Sequence, residues 1–468
     1  MLTRSSCTSI LIGKNATFDH SVIIGRNEDS KAAWPKHIVK HAPVADAQQF
    51  ASKANKFAMP LPKNALAYTA TPEWTDKFGL FEEAGINSAG VAMSATESAY
   101  ANMRVLAYDP FIEDGITEEA MVTVVLPYVK SAREGVQRLA DIVEKYGTGE
   151  ANGILFADHD EAWYMEVATG HRYVAQRIPD DSYAVVANQL AIQVINFDSD
   201  DFMYSADLKD FAESHQLWTP GTDFNFRQIF GTDSSFDRTY NTARVWDGQR
   251  RLTPSVKQDP ESSDLPFIQK ADRLLHVDDA FSVLGSHFQE TEFDPADPRA
   301  KFPHHYRPIS VAKTQEAHVL QMRQNLPQPI ADIHWQAMGV AAESQFIPFF
   351  AGTTDTPESF KQGELPADLN SAYWQFKLAS VLVDAHFMRF AKDLDAVQTS
   401  THQKLLASIA QADAASADLD ENGLAGLATT ATAANAAIAL NAWHEFTMKL
   451  LMDSTDLSPL NFMHDANL

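Results

Sequence analysis

The chain has 468 residues, with 37 Lys and Arg against 62 Asp and Glu, giving a formal net charge of −25. Hydrophobic residues make up 45% and cysteine occurs once, which excludes a disordered chain, an intrachain disulfide and a Cys-rich zinc or iron–sulfur centre. The acidic balance repels phosphate, so no nucleic-acid or membrane partner is expected. No run approaches the roughly 18 to 20 apolar residues of a membrane span, and Met1 to Ser6 is too short and polar for a secretory signal. The expectation is a cytoplasmic enzyme.

In chain order, Cys7-Thr-Ser-Ile-Leu-Ile-Gly13 and Ser21-Val-Ile-Ile-Gly-Arg26 are β-branched runs joined by a turn-rich stretch, and predict a hairpin. The charges of Arg26-Asn-Glu-Asp29 are expected to stop its second strand. Residues 31–77 read as loops and short strands. From Gly79 to Ser98 a strand–turn–strand pattern returns, with Asn87 as a turn residue. Helices are expected after Thr117-Glu-Glu119 and after the Ser131-Ala-Arg-Glu134 cap, the second burying Val136, Leu139, Ile142 and Val143 and ending at Gly147. Strands follow near 153–156, 162–167, 172–177 and 183–188. Residues from about 197 to 308 are acidic and mixed. From Asn370 onward the chain reads as helical, with Tyr373, Phe376, Val381 and Phe387 as candidate buried residues and an Ala-rich stretch near 405–442. Strands, paired helices and strands again describe a sheet covered by helices.

Most motif chemistry is excluded. No phosphate loop, G-x-G-x-x-G or G-x-S-x-G occurs in the right setting. His444-Glu445 lacks the second histidine of a zinc-protease motif because position 448 is Met. His304-His305 would diverge on a strand, and Ser310-Val-Ala-Lys313 has none of the companion motifs of serine acylases. Cys7 remains. A lone cysteine at a strand start is commonly a buried, apolar-like residue. Against that, one cut after the polar leader would make Cys7 the first residue, carrying thiol and α-amine together. An α-amine of pKa about 8 is a usable base, and the hairpin returns the cation Arg26 toward the thiol.

Cys7 to Gly13, Gly25 to Asp29, Gly85-Ile-Asn-Ser-Ala-Gly-Val-Ala-Met-Ser-Ala-Thr-Glu97 and Tyr146-Gly-Thr-Gly-Glu150 together resemble the dipeptidase A family. Trp163-Tyr-Met-Glu166, Val186-Ala-Asn-Gln189 and Tyr240-Asn-Thr-Ala-Arg-Val-Trp246 extend the resemblance, which covers roughly residues 7 to 350. Members are N-terminal-nucleophile cysteine hydrolases, distantly similar to bile-salt hydrolases, penicillin V acylases and secernins.

The resemblance implies an α+β fold: an αββα sandwich of two stacked antiparallel sheets between helix layers, over residues 7–350. Residues 1–6 would be a leader removed on maturation, and 351–468 a mostly helical extension packed on the sandwich. Carried over by position, Cys7 is the nucleophile, Arg26 lies beside its sulfur, Asp29 binds the freed α-amine and Asn188 donates to the oxyanion. A further arginine near the nucleophile is either Arg238 or Arg244, with Arg244 favoured by its place in the Tyr-Asn-x-x-Arg pattern. Acylase relatives place an oxyanion residue about where Thr96 and Glu97 fall, and a Glu there suits a peptide ammonium; the competing reading of Glu97 is a solvated strand-end acid. The implied function is hydrolysis of dipeptides with a free N-terminus, through a thioester on a Cys7 freed by autocatalytic cleavage of Ser6–Cys7 and without metal or organic cofactor. An acylase on N-acylated small molecules and a non-enzymatic secernin-like protein are the alternatives. Family members often form homo-oligomers, for which the C-terminal helices offer a surface.

Overall fold

The computed structural model describes residues 7–460. The hairpin at the start is present: β1 (Thr8–Ile12) and β2 (Val22–Asp29) pair antiparallel, with Ser9 opposite Arg26. Short strands β3 (Val39–His41), β4 (Gln48–Ala51), β5 (Ala58–Leu61) and β6 (Tyr68–Ala70) form two small ribbons, β3 with β6 and β4 with β5. Next come β7 (Ala84–Ile86), β8 (Ala92–Ser98), β9 (Asn152–Ala157), β10 (Ala162–Val167) and β11 (Tyr173–Ile178). They are followed by β12 (Tyr183–Val186), β13 (Phe202–Tyr204), β14 (Ile268–Gln269), β15 (Thr314–Met322), β16 (Asp332–Met338) and β17 (Ile347–Phe350).

Two large antiparallel sheets result, ordered β14-β12-β1-β2-β15-β16-β17 and β13-β11-β10-β9-β8-β7. Successive strand residues point to opposite faces, and the sequence uses both. Leu11, Val22, Ile24 and Leu320 of the first sheet meet Ile86, Leu155, Tyr164 and Val174 of the second. Ile10, Ile12, Ile23 and Val319 face outward, under the helix Val277–Leu284. Met93, Ile154, Phe156 and Met165 lie under the helices Glu118–Val125 and Ala132–Tyr146. The layers are therefore helix, sheet, sheet, helix, as the resemblance implied.

The best-marked helix forms for the expected reasons. Ser131 Oγ accepts from the Glu134 N–H at 3.1 Å, and Val136, Leu139, Ile142 and Val143 are buried. Gly147 ends the helix at φ +73°, where its N–H donates to Val143 O and a Cβ would meet Ile112 Cγ1 at 2.3 Å. The turn between β7 and β8 is organised by Asn87, whose Oδ1 accepts from the N–H groups of Ala89 and Val91.

Three expectations change. The charges after Gly25 do not stop β2: it continues to Asp29, fully buried, because β15 pairs along it and its charged side chains find partners. Val381 is 57% exposed, unlike Tyr373 and Phe376, since the helix Ala372–Asp384 presents another face to the fold. Among the described residues, one helix, Glu421–Leu457, is long and apolar enough to cross a membrane by length and composition. Its Ala, Gly and Thr content serves close packing instead: Asn435 Nδ2 donates to Pro348 O at 3.0 Å, and Thr432 Oγ1 accepts from the Phe350 N–H at 3.1 Å. With the helix Phe387–Ala415, these helices cover the β16–β17 side around Phe376, Phe390 and Trp443.

Candidate active site

Cys7 immediately precedes β1 and is fully buried. The register places the end of β2 beside it, and the two-residue repeat of a strand sends Arg26 and Glu28 to the same face. Arg26 Nη1 lies 3.2 Å from Cys7 Sγ, and Glu28 Oε2 lies 3.4 Å from that sulfur. Arg26 is itself held on every side. Nη1 pairs with Glu28 Oε2 at 2.5 Å and reaches Thr96 O at 3.0 Å. Nη2 pairs with Glu83 Oε2 at 2.7 Å and reaches Ala95 O at 3.0 Å. Lys36 Nζ takes the other oxygen of Glu83 at 2.7 Å.

Burial disfavours the charge on Arg26, yet Cys7, Glu28, Glu83 and Glu118 together raise its pKa well above the ordinary value. Burial likewise opposes the charge on Lys36, but Glu83, Glu73 and Glu28 together outweigh it and move the ammonium upward. Burial raises the carboxyl of Glu83. Glu118 is the acid left over: among the described residues it makes no ion pair. Burial, reinforced by Glu83, Glu28 and Glu150, pushes it well up. Its Oε1 accepts from the Thr96 N–H at 3.3 Å.

Glu28, Glu83 and Glu118 offer oxygens within 4.8 Å of one another, the geometry of a metal-binding group. Arg26 and Lys36, in contact with two of the three, already supply two positive charges there. The donor set therefore fits a cation-bridged carboxylate cluster better than a divalent metal centre.

Behind the backbone of Cys7 stands Arg244. Its Nη1 donates to the carbonyl oxygen of Cys7 and to Thr8 Oγ1 at 2.9 Å. Its Nη2 donates to Asn188 Oδ1 at 2.7 Å and Asn241 Oδ1 at 2.8 Å. These bonds fix which end of the Asn188 amide is oxygen, leaving Nδ2 to donate to Ser98 O at 2.8 Å. Arg238, six residues earlier, points elsewhere. It pairs with Asp233 at 3.3 Å with 47% of its side chain exposed. Of the two arginines considered, the structure brings Arg244 to Cys7.

Asp29 ends β2, and its carboxylate is bound by Arg307 Nη2 at 2.5 Å and by Thr314 Oγ1. Thr96 is buried, and its Oγ1 has no hydrogen-bond partner. The side chain of Glu97 lies outside the described residues, as do residues 1–6. His305 pairs with Glu261, away from this cluster. A cavity of about 640 Å³ among Lys40, Asn87, Pro329 and Leu424 includes none of the residues around Cys7.

Sequence reasoning missed Glu28, Glu83, Glu118, Lys36 and a buried Ser94–His318–Glu316 chain. Only Glu28 carried a signal, its spacing of two from Arg26. Glu118 read as a first-turn helix acid, and Lys36, Glu83, Ser94, Glu316 and His318 reach Arg26 or its partners through strand pairing and sheet stacking alone.

Comparisons with known proteins place the chain in a family. A family model described as peptidase family C69 matches residues 6–400. A probable dipeptidase of Latilactobacillus sakei is 44% identical over 472 residues, covering 99% of this chain and 98% of the relative. A dipeptidase of Bifidobacterium longum is 36% identical, covering 85% and 80%. Dipeptidase A of Lactobacillus helveticus is also 36% identical, covering 85% and 86%.

Proposed function

The chain belongs to peptidase family C69, and from that membership we propose that it is a cysteine-type dipeptidase whose nucleophile is Cys7. The observation that carries the reading is the 3.2 Å contact between Arg26 Nη1 and Cys7 Sγ at the start of a central strand. A fixed guanidinium stabilises developing negative charge on sulfur and stays protonated while doing so.

In the proposed mechanism, cleavage of Ser6–Cys7, carried out by Cys7 itself, frees the α-amine. The reading requires substrate to reach a sulfur that is fully buried in the structure. The amine, held by Asp29, takes the thiol proton as sulfur attacks the scissile carbonyl. Asn188 and backbone N–H groups stabilise the oxyanion; one such donor is typically worth about two to three powers of ten in rate. The leaving amine takes the proton and a thioester remains, which water, activated by the same α-amine, hydrolyses. Arg244 keeps Asn188 and the Cys7 carbonyl in register.

Charge supports a substrate with a free ammonium over an N-acylated one. The cluster beside the sulfur holds three carboxyl groups against two cations, with Glu118 unpaired. A dipeptide ammonium sits two bonds from the attacked carbonyl, and placed here it would favour the ionised form of Glu118, which burial and the neighbouring acids otherwise oppose. Glu118, which accepts from the Thr96 N–H, is the carboxyl assigned to it, with Glu97, next to Thr96 in the sequence, as the second. The test is intact mass together with a panel of free and N-acetylated dipeptides on one preparation. We expect loss of residues 1–6 and hydrolysis of the free forms. Full activity in a chain still carrying Met1 or Leu2, or preference for the acetylated forms, would overturn the reading.

A further inference from the structure

We propose that Ser94, His318 and Glu316 form a positioning relay that fixes the Arg26 guanidinium against the Cys7 sulfur. The inference rests on the reading of Cys7 as nucleophile and adds residues that do not touch it. Arg26 Nε donates to Ser94 Oγ at 3.0 Å; Ser94 Oγ lies 2.8 Å from His318 Nε2; His318 Nδ1 lies 2.9 Å from Glu316 Oε1. Gln336 Nε2 completes the chain with a bond to Glu316 Oε2 at 2.7 Å. All five side chains are buried, at most a few per cent exposed.

The direction of every hydrogen in the chain follows. Guanidinium nitrogens only donate, so Ser94 Oγ accepts from Arg26, and its own hydrogen goes to His318 Nε2. His318 is then an acceptor at Nε2 and carries its proton on Nδ1, donated to Glu316. That tautomer needs a neutral imidazole. Burial first, and then the charge of Arg26, lower the pKa of His318 well below its ordinary value. Burial raises Glu316 to about 7 against the opposing pull of Arg26. The charged and titratable groups facing His318 are Arg26 from β2, Glu83 before β7, Lys36, Glu316 on its own strand, and His334 from β16, whose ring centre is 6.2 Å away.

The relay matters because the other partners of Arg26 compete. Glu28 and Glu83 pull on its two terminal nitrogens, which also donate to Thr96 O and Ala95 O, and the bond at Nε is the one that holds the inner end of the fork. Ser94 comes from the facing sheet, while Arg26 and His318 are cross-strand neighbours in the first sheet. The bond at Nε therefore adds a third anchor on the facing sheet to those at Thr96 O and Ala95 O, and helps set the direction in which Nη1 meets sulfur.

The experiment compares the mature enzyme with S94A, H318Q, H318L and C7A. It measures kcat and KM on a free dipeptide and the pH profile of alkylation by iodoacetamide, which reports Cys7 alone because the chain has one cysteine. S94A and H318L are expected to lower kcat about ten- to a hundredfold with little change in KM, as misplacement of a reacting group does. They should also move the alkylation profile up by about one pH unit as the cation loosens. H318Q keeps an acceptor for the Ser94 hydroxyl and should recover most of both. Unchanged kcat and alkylation in S94A and H318L, or H318Q no better than H318L, would overturn the relay. Should H318L fail to fold, S94A, which removes one oxygen, decides. Hydrolysis surviving in C7A is a separate failure, that of the nucleophile reading itself.

Discussion

The charged end of β2 and the C-terminal helices over β17 both bury large side chains, charged in the first and apolar in the second. In the helical layer, Phe376, Phe390 and Trp443 pack with alanines, and each contact contributes on its own account. Around Cys7, Arg26, Lys36, Glu28 and Glu83 are equally inaccessible and Glu118 is half-buried beside them, but none of the four would be stable there alone. Similar burial therefore has opposite consequences. Apolar packing tolerates local loss, whereas the charge cluster holds together only as a set, and it is the set that presents a cation to sulfur.

That contrast can be broken experimentally. The largest expected effect is C7A, which should abolish dipeptide hydrolysis in a steady-state assay while leaving the urea midpoint nearly unchanged. R26M should abolish hydrolysis too, but it strands buried carboxylates, and denaturant unfolding should show a loss of about 3–5 kcal/mol. W443A should lose a similar amount, about 3–5 kcal/mol by cavity formation, with kcat of the folded fraction unchanged. Equal effects of R26M and W443A on kcat would erase the distinction between the two regions.

The smallest effect is a pH slope. Burial pushes Glu166 up to about 8, although it accepts from the N–H groups of Ala191 and Ile192. Between its ordinary value of 4.5 and 8 the folded protein keeps a proton that the unfolded chain releases. This contribution to stability is full at low pH and is lost as pH rises through 8. E166Q should remove it, flattening the difference in unfolding free energy between pH 5 and 8 by roughly a few kcal/mol at most. An unchanged slope would show that Glu166 is ionised in the fold.

The hairpin, the helix capped by Ser131 and closed by Gly147, and the Asn87 turn were legible because each depends on neighbours within a few positions. The extension of β2 to Asp29 was not, since four buried polar residues in a row read as a strand end until β15 and the opposing carboxylates are in place. Within the site, Cys7 and Arg26 were visible through hairpin geometry. Preferring Arg244 to Arg238 rested on a motif, and the two point to different places in the fold. Glu83, Glu118 and His318 gave no local sign of lying near sulfur.

By itself the sequence determined alternation, caps, turns and a family pattern, because these follow from short-range sterics and from which face of a strand each side chain must take. Tertiary structure decided which charges share a buried space. Coulomb energy depends on distances across two stacked sheets, and those distances exist only once strands nearly three hundred residues apart in the chain have paired.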